Sequence, residues 1–211
     1  IKATPEIAGP MAEAFNIDTA ELAYLQVAEA LAAFIRLEFR VRDTKLHKFV
    51  FDGEDLTESE LAGGLLFYGR GQCATCHSGP YFSDLDFHAI PFAQFGFGFN
   101  GFGIDYGRYN FTQDPGDLYT FRTPPLFNVT KTAPYSHSGA EPDLAMAIRA
   151  HVDPLAGIDT SALSPLDRTE IYQRIARWAQ EPVYSVELSA QEISEIVDFL
   201  STLDFDPEDE R

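Results

Sequence analysis

The sequence has few basic residues, few sulfur-containing residues and no long apolar run. Lys and Arg number 15 against 33 Asp and Glu in 211 residues, so the formal net charge is −18. This balance offers no basic face for phosphate groups and excludes a nucleic-acid-binding protein. No apolar run approaches the ~20 residues of a membrane-spanning helix. Hydrophobic residues still form 45% of the chain, which excludes wholesale disorder.

The two cysteines lie in one short run, Cys73-Ala74-Thr75-Cys76-His77. A zinc site usually needs a second Cys/His pair at close spacing, and the sequence has none. A thioredoxin-like redox site would need a βαβ context, and a structural disulfide would leave His77 without a role. The pattern C-x-x-C-H is typical of c-type haem attachment, in which the thiols add to the porphyrin and the histidine binds iron. Because this attachment normally occurs outside a bacterial inner membrane, we expect a periplasmic or exported protein.

The first part of the chain predicts one helix. Asp18 and Thr19 can cap a helix that runs to about Phe39. Its inward face, at helical spacing, would consist of Leu22, Leu25, Ala28, Leu31, Ala32 and Ile35. A capping-box pattern at residues 57–60 then predicts a second helix that leads to the cysteine motif.

Helical patterns return after a loop-rich middle. They predict a short helix from Pro142 to about His151, another from Ser164 onward, and a last one after the capping box at Ser189. The fold class is therefore predicted to be all-α, a cytochrome c-like haem domain with long loops rich in Gly, Pro and Phe. We expect residues 1–50 to be a lead-in segment with one helix and residues 51–211 to be the haem domain.

Residues 92–103 alternate Phe with Gly or polar residues. This segment is either a low-complexity surface loop or an aromatic lining near the haem edge or a subunit contact. The sequence leaves both interpretations open.

Six side chains could bind the second face of the iron, namely His47, His88, His137, His151, Met11 and Met146. In a helix, Leu144, Ile148 and His151 share one face, which places His151 inward, whereas Met146 points away. A buried histidine is more often hydrogen-bonded than metal-bound, so spacing alone does not assign His151.

Several motifs, in order, are similar to one known family. They are Gly63-Gly64-Leu65-Leu66-Phe67 before the cysteine motif, Asp105-Tyr-Gly-Arg108, Phe121-Arg-Thr-Pro-Pro-Leu-Phe-Asn-Val129 and Thr132-Ala-Pro-Tyr-Ser-His-Ser-Gly139. Together they resemble the second haem domain of bacterial di-haem cytochrome c peroxidases and the related MauG-like proteins.

The resemblance implies roles for individual residues. Cys73 and Cys76 would hold the haem, and His77 would be its proximal ligand. The sixth ligand in this family lies fourteen residues beyond the histidine that corresponds to His137, which is His151 here. Two histidines imply a bis-His, six-coordinate haem.

The resemblance also implies a calcium ion between two domains, bound in part by the backbone carbonyls of Thr132 and Pro134. Arg108 and Arg122 could pair with haem propionates, and ordinary surface ion pairs are the alternative. His88 and His137 are expected to be hydrogen-bonded structural groups. The single tryptophan, Trp178, is expected to be a core residue.

One departure from the family limits the predicted activity. Family enzymes carry two C-x-x-C-H motifs and this sequence carries one, so the peroxide-reactive haem is expected on a companion domain or chain. The chain starts without Met and is expected to be a mature or trimmed product. We expect an electron-transfer haem domain that is not catalytic by itself and has a redox protein as electron partner. The alternatives are a stand-alone monohaem carrier and a peroxidase whose His151 dissociates.

Overall fold

The computed structural model describes residues 1–38, 43–94, 97–155, 158–182 and 186–206. These residues form two compact units, one within residues 1–38 and the other within residues 43–206. The expected domain boundary at residue 50 lies inside a helix of the second unit, Lys45–Phe51. In the described ranges, no helix has the length and apolar character that crossing a membrane requires.

The first unit has more helical structure than the sequence predicted. It contains α1 (Pro5–Phe15) and α2 (Tyr24–Glu38), and the expectation of one helix in residues 1–50 is wrong. Asp18 does act as a cap, but of a short 3-10 turn, where its carboxylate accepts a hydrogen bond from the amide of Ala20 at 2.9 Å. Helix α2 therefore begins later than expected, and Phe39 lies outside the described residues.

The predicted inward face of α2 is mostly exposed in the first unit. Leu22 is buried, whereas Leu25, Leu31 and Ile35 are each more than half exposed. Helical spacing identified an apolar stripe, but spacing does not say what covers it. In this unit the small core consists of Leu22 packed on Ala8 and Ala12 of α1.

The second unit is helical with short strands, so the predicted all-α fold class is confirmed. Its helices are α3 (Lys45–Phe51), α4 (Glu58–Tyr68), α5 (Tyr109–Thr112), α6 (Leu144–Val152), α7 (Pro165–Trp178) and α8 (Ala190–Ser201). Its strands are β1 (Phe87–His88), β2 (Phe97–Gly98), β3 (Gly101–Phe102) and β4 (Phe121–Arg122). β1 pairs antiparallel with β4, and β2 pairs antiparallel with β3.

Local capping signals set the starts of the main helices. Thr57 caps α4 and Ser189 caps α8, each in a capping box as predicted. Ser164 caps α7 in the same way, with proline at the first position. The side chain of Asp143 caps α6 by accepting from the amide of Met146 at 2.8 Å. These caps satisfy amides that a helix leaves unpaired at its start.

The main core forms where α4 packs on α8. It is an apolar cluster of buried residues, Phe67, Phe82, Leu126, Leu188, Ile193, Ile196, Phe199, Leu200 and Leu203. The two helices come so close that a Cβ built on Gly63 would overlap the backbone carbonyl of Glu195. On Gly64, a Cβ would instead meet the ring of Phe199 at 3.1 Å. Glycine at position 63 is therefore required by backbone contact between the helices.

We predict that Gly63→Ala lowers the free energy of unfolding by about 3 kcal/mol, because the helices must separate and repack. Gly64→Ala is the matched control in the same helix, since its new methyl group meets a side-chain ring that can shift. Chemical denaturation of both variants measures the difference. Equal stability losses for the two variants would contradict the required backbone contact.

Candidate functional site

The C-x-x-C-H motif follows α4 in a short 3-10 turn, Cys73–Thr75. The amide of His77 donates to the carbonyl of Cys73 at 2.8 Å, which folds the motif back on itself. Cys73 and Cys76 are partly buried free thiols. Of the motif, Cys73 and Ala74 pack against the core that α4 and α8 form.

The two thiols are held in the protonated form. Burial raises the pKa of Cys73 to about 11. Burial, together with the negative charges of Asp84 and Glu181, raises the pKa of Cys76 to about 11. Zinc and similar metals bind thiolates, whereas a thioether linkage leaves sulfur uncharged. Thiols with a pKa this high supply little thiolate to a metal at neutral pH.

His77 is fixed by its backbone surroundings. Its Nδ1 donates to the carbonyl of Phe82 at 3.0 Å, and Phe82 has the left-handed backbone conformation, with φ of 52°. Burial, with a smaller contribution from the neighbouring His151, lowers the pKa of His77 to about 4. The imidazole is therefore neutral at pH 7, and its Nε2 is left for a metal.

His151, on α6, is held in the same way as His77. Its Nδ1 donates to the carbonyl of Ala147 at 2.7 Å, and burial lowers its pKa. The inward direction predicted from helix spacing is confirmed, since Leu144 and Ile148 pack on the main core. Met146 is 38% exposed and faces away, also as predicted.

The rings of His77 and His151 face each other across a short gap. Their centroids are 6.4 Å apart, with an angle of 60° between the ring planes. An imidazole nitrogen binds a metal ion at ~2.0–2.1 Å and lies ~1.2 Å from the centre of its own ring. Two imidazoles bound to opposite sides of one metal ion therefore have ring centres roughly 6.4 Å apart. The pair therefore fits a single metal ion between two neutral imidazoles.

Part of the Phe-rich segment reaches this pair. The ring of Phe92 lies 5.0 Å from that of His151 at 89°. Phe99 is 73% exposed, and its ring lies 6.3 Å from that of Phe111. Phe95 lies outside the described residues. The contact of Phe92 supports the interpretation of the segment as an aromatic lining. The exposure of Phe99 supports its interpretation as a surface loop.

The other histidine candidates have different partners. His88 contacts two carboxylates, with Nε2 2.8 Å from Asp84 and Nδ1 2.9 Å from Glu181. His137 stacks on Phe121 at 3.7 Å, and burial lowers its pKa to about 4. The ring of His47 lies 4.7 Å from that of Phe51. Met11 belongs to the first unit. Of the described candidates, His151 is the one whose ring contacts that of His77.

A group of three metal-ligating side chains also lies beside the motif. The ligand atoms of Cys76, Asp84 and His88 lie within 4.8 Å of one another. Burial would lower the pKa of His88, but its hydrogen bonds to Glu181 and Asp84 outweigh this effect and raise the pKa. Each ring nitrogen of His88 already lies within 2.9 Å of a carboxylate oxygen, so His88, Asp84 and Glu181 form an ion-paired clamp.

The residues predicted to contact the propionates and calcium all belong to the second unit. The Nε of Arg108 lies 3.2 Å from Asp117, and its guanidinium sits 4.3 Å above the ring of Phe87. Arg122 is exposed on β4. Thr132 and Pro134 are exposed in the loop that follows a 3-10 turn. Their roles remain predictions.

Glu181 is a residue beside the site that no pattern in the sequence predicted. Its carboxylate accepts from the amide of Ala89 at 3.0 Å and contacts both His88 and Arg177, so it ties the end of α7 to β1. The only local signal is the i,i+4 spacing of Arg177 and Glu181. The pairing with His88 spans 93 residues of sequence and has no signature in the chain.

We predict that His88→Gln lowers the free energy of unfolding by about 2 kcal/mol at pH 6, because it removes the charged group that Asp84 and Glu181 share. The folded-state pKa of His88 lies above 6.5. Its contribution is therefore complete below pH 6.5 and is lost as the pH rises through the folded-state value.

Denaturation of the wild type and His88→Gln at pH 6 and pH 9 measures this effect. The stability difference between them should shrink at pH 9. Glu187→Gln, at an exposed position, is the control and should show no such trend. A difference that is constant with pH would contradict the ion-paired clamp.

Comparison with known proteins places these features in context. No protein-family model matches the chain. The chain is 32% identical over 109 residues to the cytochrome-c peroxidase IdrP2 of Denitromonas iodatirespirans, over 42% of this chain and 30% of that protein. It is 30% identical over 148 residues to the methylamine utilization protein MauG of Paracoccus denitrificans, over 63% of this chain and 38% of that protein.

A solved structure gives a similar result. The crystal structure of a MauG-like protein associated with microbial copper homeostasis matches 89% of this chain and 59% of its own, with a TM-score of 0.64 and 25% identity. The chain spans less than half the length of the two curated relatives.

Proposed function

Because the chain belongs to the family of bacterial di-haem cytochrome c peroxidases and MauG-like proteins, we propose that it is an electron-transfer haem c domain. Cys73 and Cys76 would hold the haem covalently, and His77 and His151 would bind its iron. The observation that carries this proposal is the 6.4 Å separation of the two imidazole rings. Their Nδ1 atoms are both committed to backbone carbonyls, which leaves two Nε2 atoms for one iron.

The surrounding residues suit electron transfer better than peroxide chemistry. Haem c, when bound, supplies a one-electron couple between ferric and ferrous iron. His77 and His151 would fill both axial positions and leave none for peroxide. Burial keeps both imidazoles neutral at pH 7, and the hydrogen bonds to Phe82 and Ala147 hold the rings in place. Little rearrangement would accompany a change of charge on the iron.

The peroxide-reactive haem would belong to a companion domain or chain. The sequence carries one C-x-x-C-H motif, whereas a structural relative is named a diheme peroxidase.

We place the protein in the periplasm or outside the cell, where haem c is attached, with a redox protein as its electron partner. The number of haem groups per natively purified particle tests the proposal of a companion domain or chain. A particle that contains one haem and no second haem-bearing chain would favour the alternative of a stand-alone electron carrier.

We predict that wild-type ferric protein is low-spin and that His151→Ala becomes high-spin and binds cyanide quickly, because removal of the imidazole opens the iron. His151→Met should stay low-spin with a higher reduction potential, since a thioether ligand favours ferrous iron. Optical and electron paramagnetic resonance spectra with redox titration make these measurements.

Met146→Ala is the matched control, since this exposed side chain lies on the same helix and faces away. It should change neither spectrum nor potential. A low-spin spectrum that survives His151→Ala would show that another residue, His88 or His137 first, binds the iron. A high-spin wild type with fast cyanide binding would favour a peroxidase in its own right.

We also propose a calcium site that includes the backbone carbonyls of Thr132 and Pro134. Both residues are exposed, and calcium needs about six to eight oxygen ligands, so the companion domain would complete the site. We predict weak binding by this chain alone and tighter binding with the companion, by calorimetry with magnesium as control. Equal calcium affinity in both forms would contradict a shared site.

A further inference from the structure

The inner face of α7 carries two buried N–H donors that lack an acceptor. Arg174 is 6% exposed. Its Nε and the indole Nε1 of Trp178 are both inaccessible to solvent, and neither has a hydrogen-bond partner among the described residues. The two residues are four apart in one helix, so they lie on one face, a turn apart. Buried donors are rarely left unpaired, which indicates an acceptor that the described residues do not supply.

The charge of Arg174 specifies the kind of acceptor. In the described part of the chain, its guanidinium forms no ion pair. Burial lowers the pKa of Arg174, and the charges of Tyr119, Glu170 and Asp167 only partly oppose this effect. The carboxylate of Glu170, one turn earlier, accepts a hydrogen bond from Tyr119 at 2.7 Å. A buried guanidinium is stable when it meets an anion, and its planar fork matches a carboxylate. An indole N–H beside it adds one neutral donor to the same group.

The location of this pair points to the haem site. Nη1 of Arg174 donates to the carbonyl of Phe92 at 3.3 Å. The ring of Phe92 in turn contacts that of His151 at 5.0 Å. Burial is the main cause of the lowered pKa of His137; the charge of Asp105 opposes it, and the charge of Arg174 adds a smaller lowering effect. One residue therefore separates the guanidinium from the proposed iron ligand.

We propose that Arg174 and Trp178 form a carboxylate-binding subsite for a haem propionate. This inference rests on the proposed function, because the carboxylate belongs to the haem. It replaces Arg108 and Arg122 in that role, since Arg108 is already paired with Asp117 and Arg122 is exposed. Arg174 supplies the charge, and Trp178 supplies a directed hydrogen bond.

The test uses the full chain with its haem attached. Arg174→Gln removes the charge, and Trp178→Phe keeps an aromatic ring but removes the N–H. Arg168→Gln is the matched control, because Arg168 lies exposed on the same helix. Resonance Raman spectra report the propionate bending band, and redox titration reports the ferric–ferrous equilibrium.

We expect the propionate band to shift in Arg174→Gln and Trp178→Phe and to stay unchanged in Arg168→Gln. Loss of the cation should move the reduction equilibrium about tenfold toward ferric haem in Arg174→Gln, which is about 59 mV for one electron. Trp178→Phe should move it less, in the same direction. Should Arg174→Gln fail to fold, Trp178→Phe decides, because it retains the ring.

Two results would overturn the inference, and they are distinguishable. In the first result, the wild type carries covalent haem, but both variants have the same propionate band and reduction potential as Arg168→Gln. The assignment of the subsite is then wrong, and the proposed function stands. A shift in Arg108→Gln or Arg122→Gln would then locate the propionate there. If the wild type shows no pyridine haemochrome spectrum, the proposed function itself fails and the subsite fails with it.

Discussion

The contact between α4 and α8 is the constraint on which the rest of the second unit depends. At Gly63 the two helices meet backbone to backbone, and Phe67 and Phe199 pack side by side in the core that this contact creates. The cysteine motif begins five residues after α4 ends. A change in the distance between the helices would therefore move Cys73 and His77 relative to everything that packs on α8. Since α6 also packs on α8, the same helix positions both proposed iron ligands.

The two histidines are held in place by similar means on different elements. Each commits Nδ1 to a backbone carbonyl, at Phe82 and at Ala147, and each is kept neutral by burial. Backbone carbonyls do not titrate and move little, so they hold an imidazole in a fixed orientation. An imidazole that is already oriented loses less conformational entropy when it binds a metal. Phe82, whose carbonyl accepts from His77, has the left-handed backbone conformation, with φ of 52°.

Sequence could predict what is local and could not predict what is distant. The helix caps at Thr57 and Ser189, the cysteine motif and the inward direction of His151 follow from spacing within a few residues, and the structure agrees on the caps and the direction. The exposed stripe on α2 shows the limit of the same method, because periodicity identifies an apolar face without identifying its cover. Glu181 shows a second limit, since its partner His88 is far away in sequence and no spacing rule connects them.

Positive and negative groups are unevenly distributed around the pair of histidines, His77 and His151. On the Cys76 side, Asp84 and Glu181 surround His88, which offsets part of their negative charge. On the α7 side, Arg174 is buried without an ion pair among the described residues. In a protein with a net charge of −18, a redox centre in water-exposed surroundings would be biased strongly toward the oxidised, more positive state. A buried cation acts through a lower dielectric than surface carboxylates do, so it can counter that bias with a single residue.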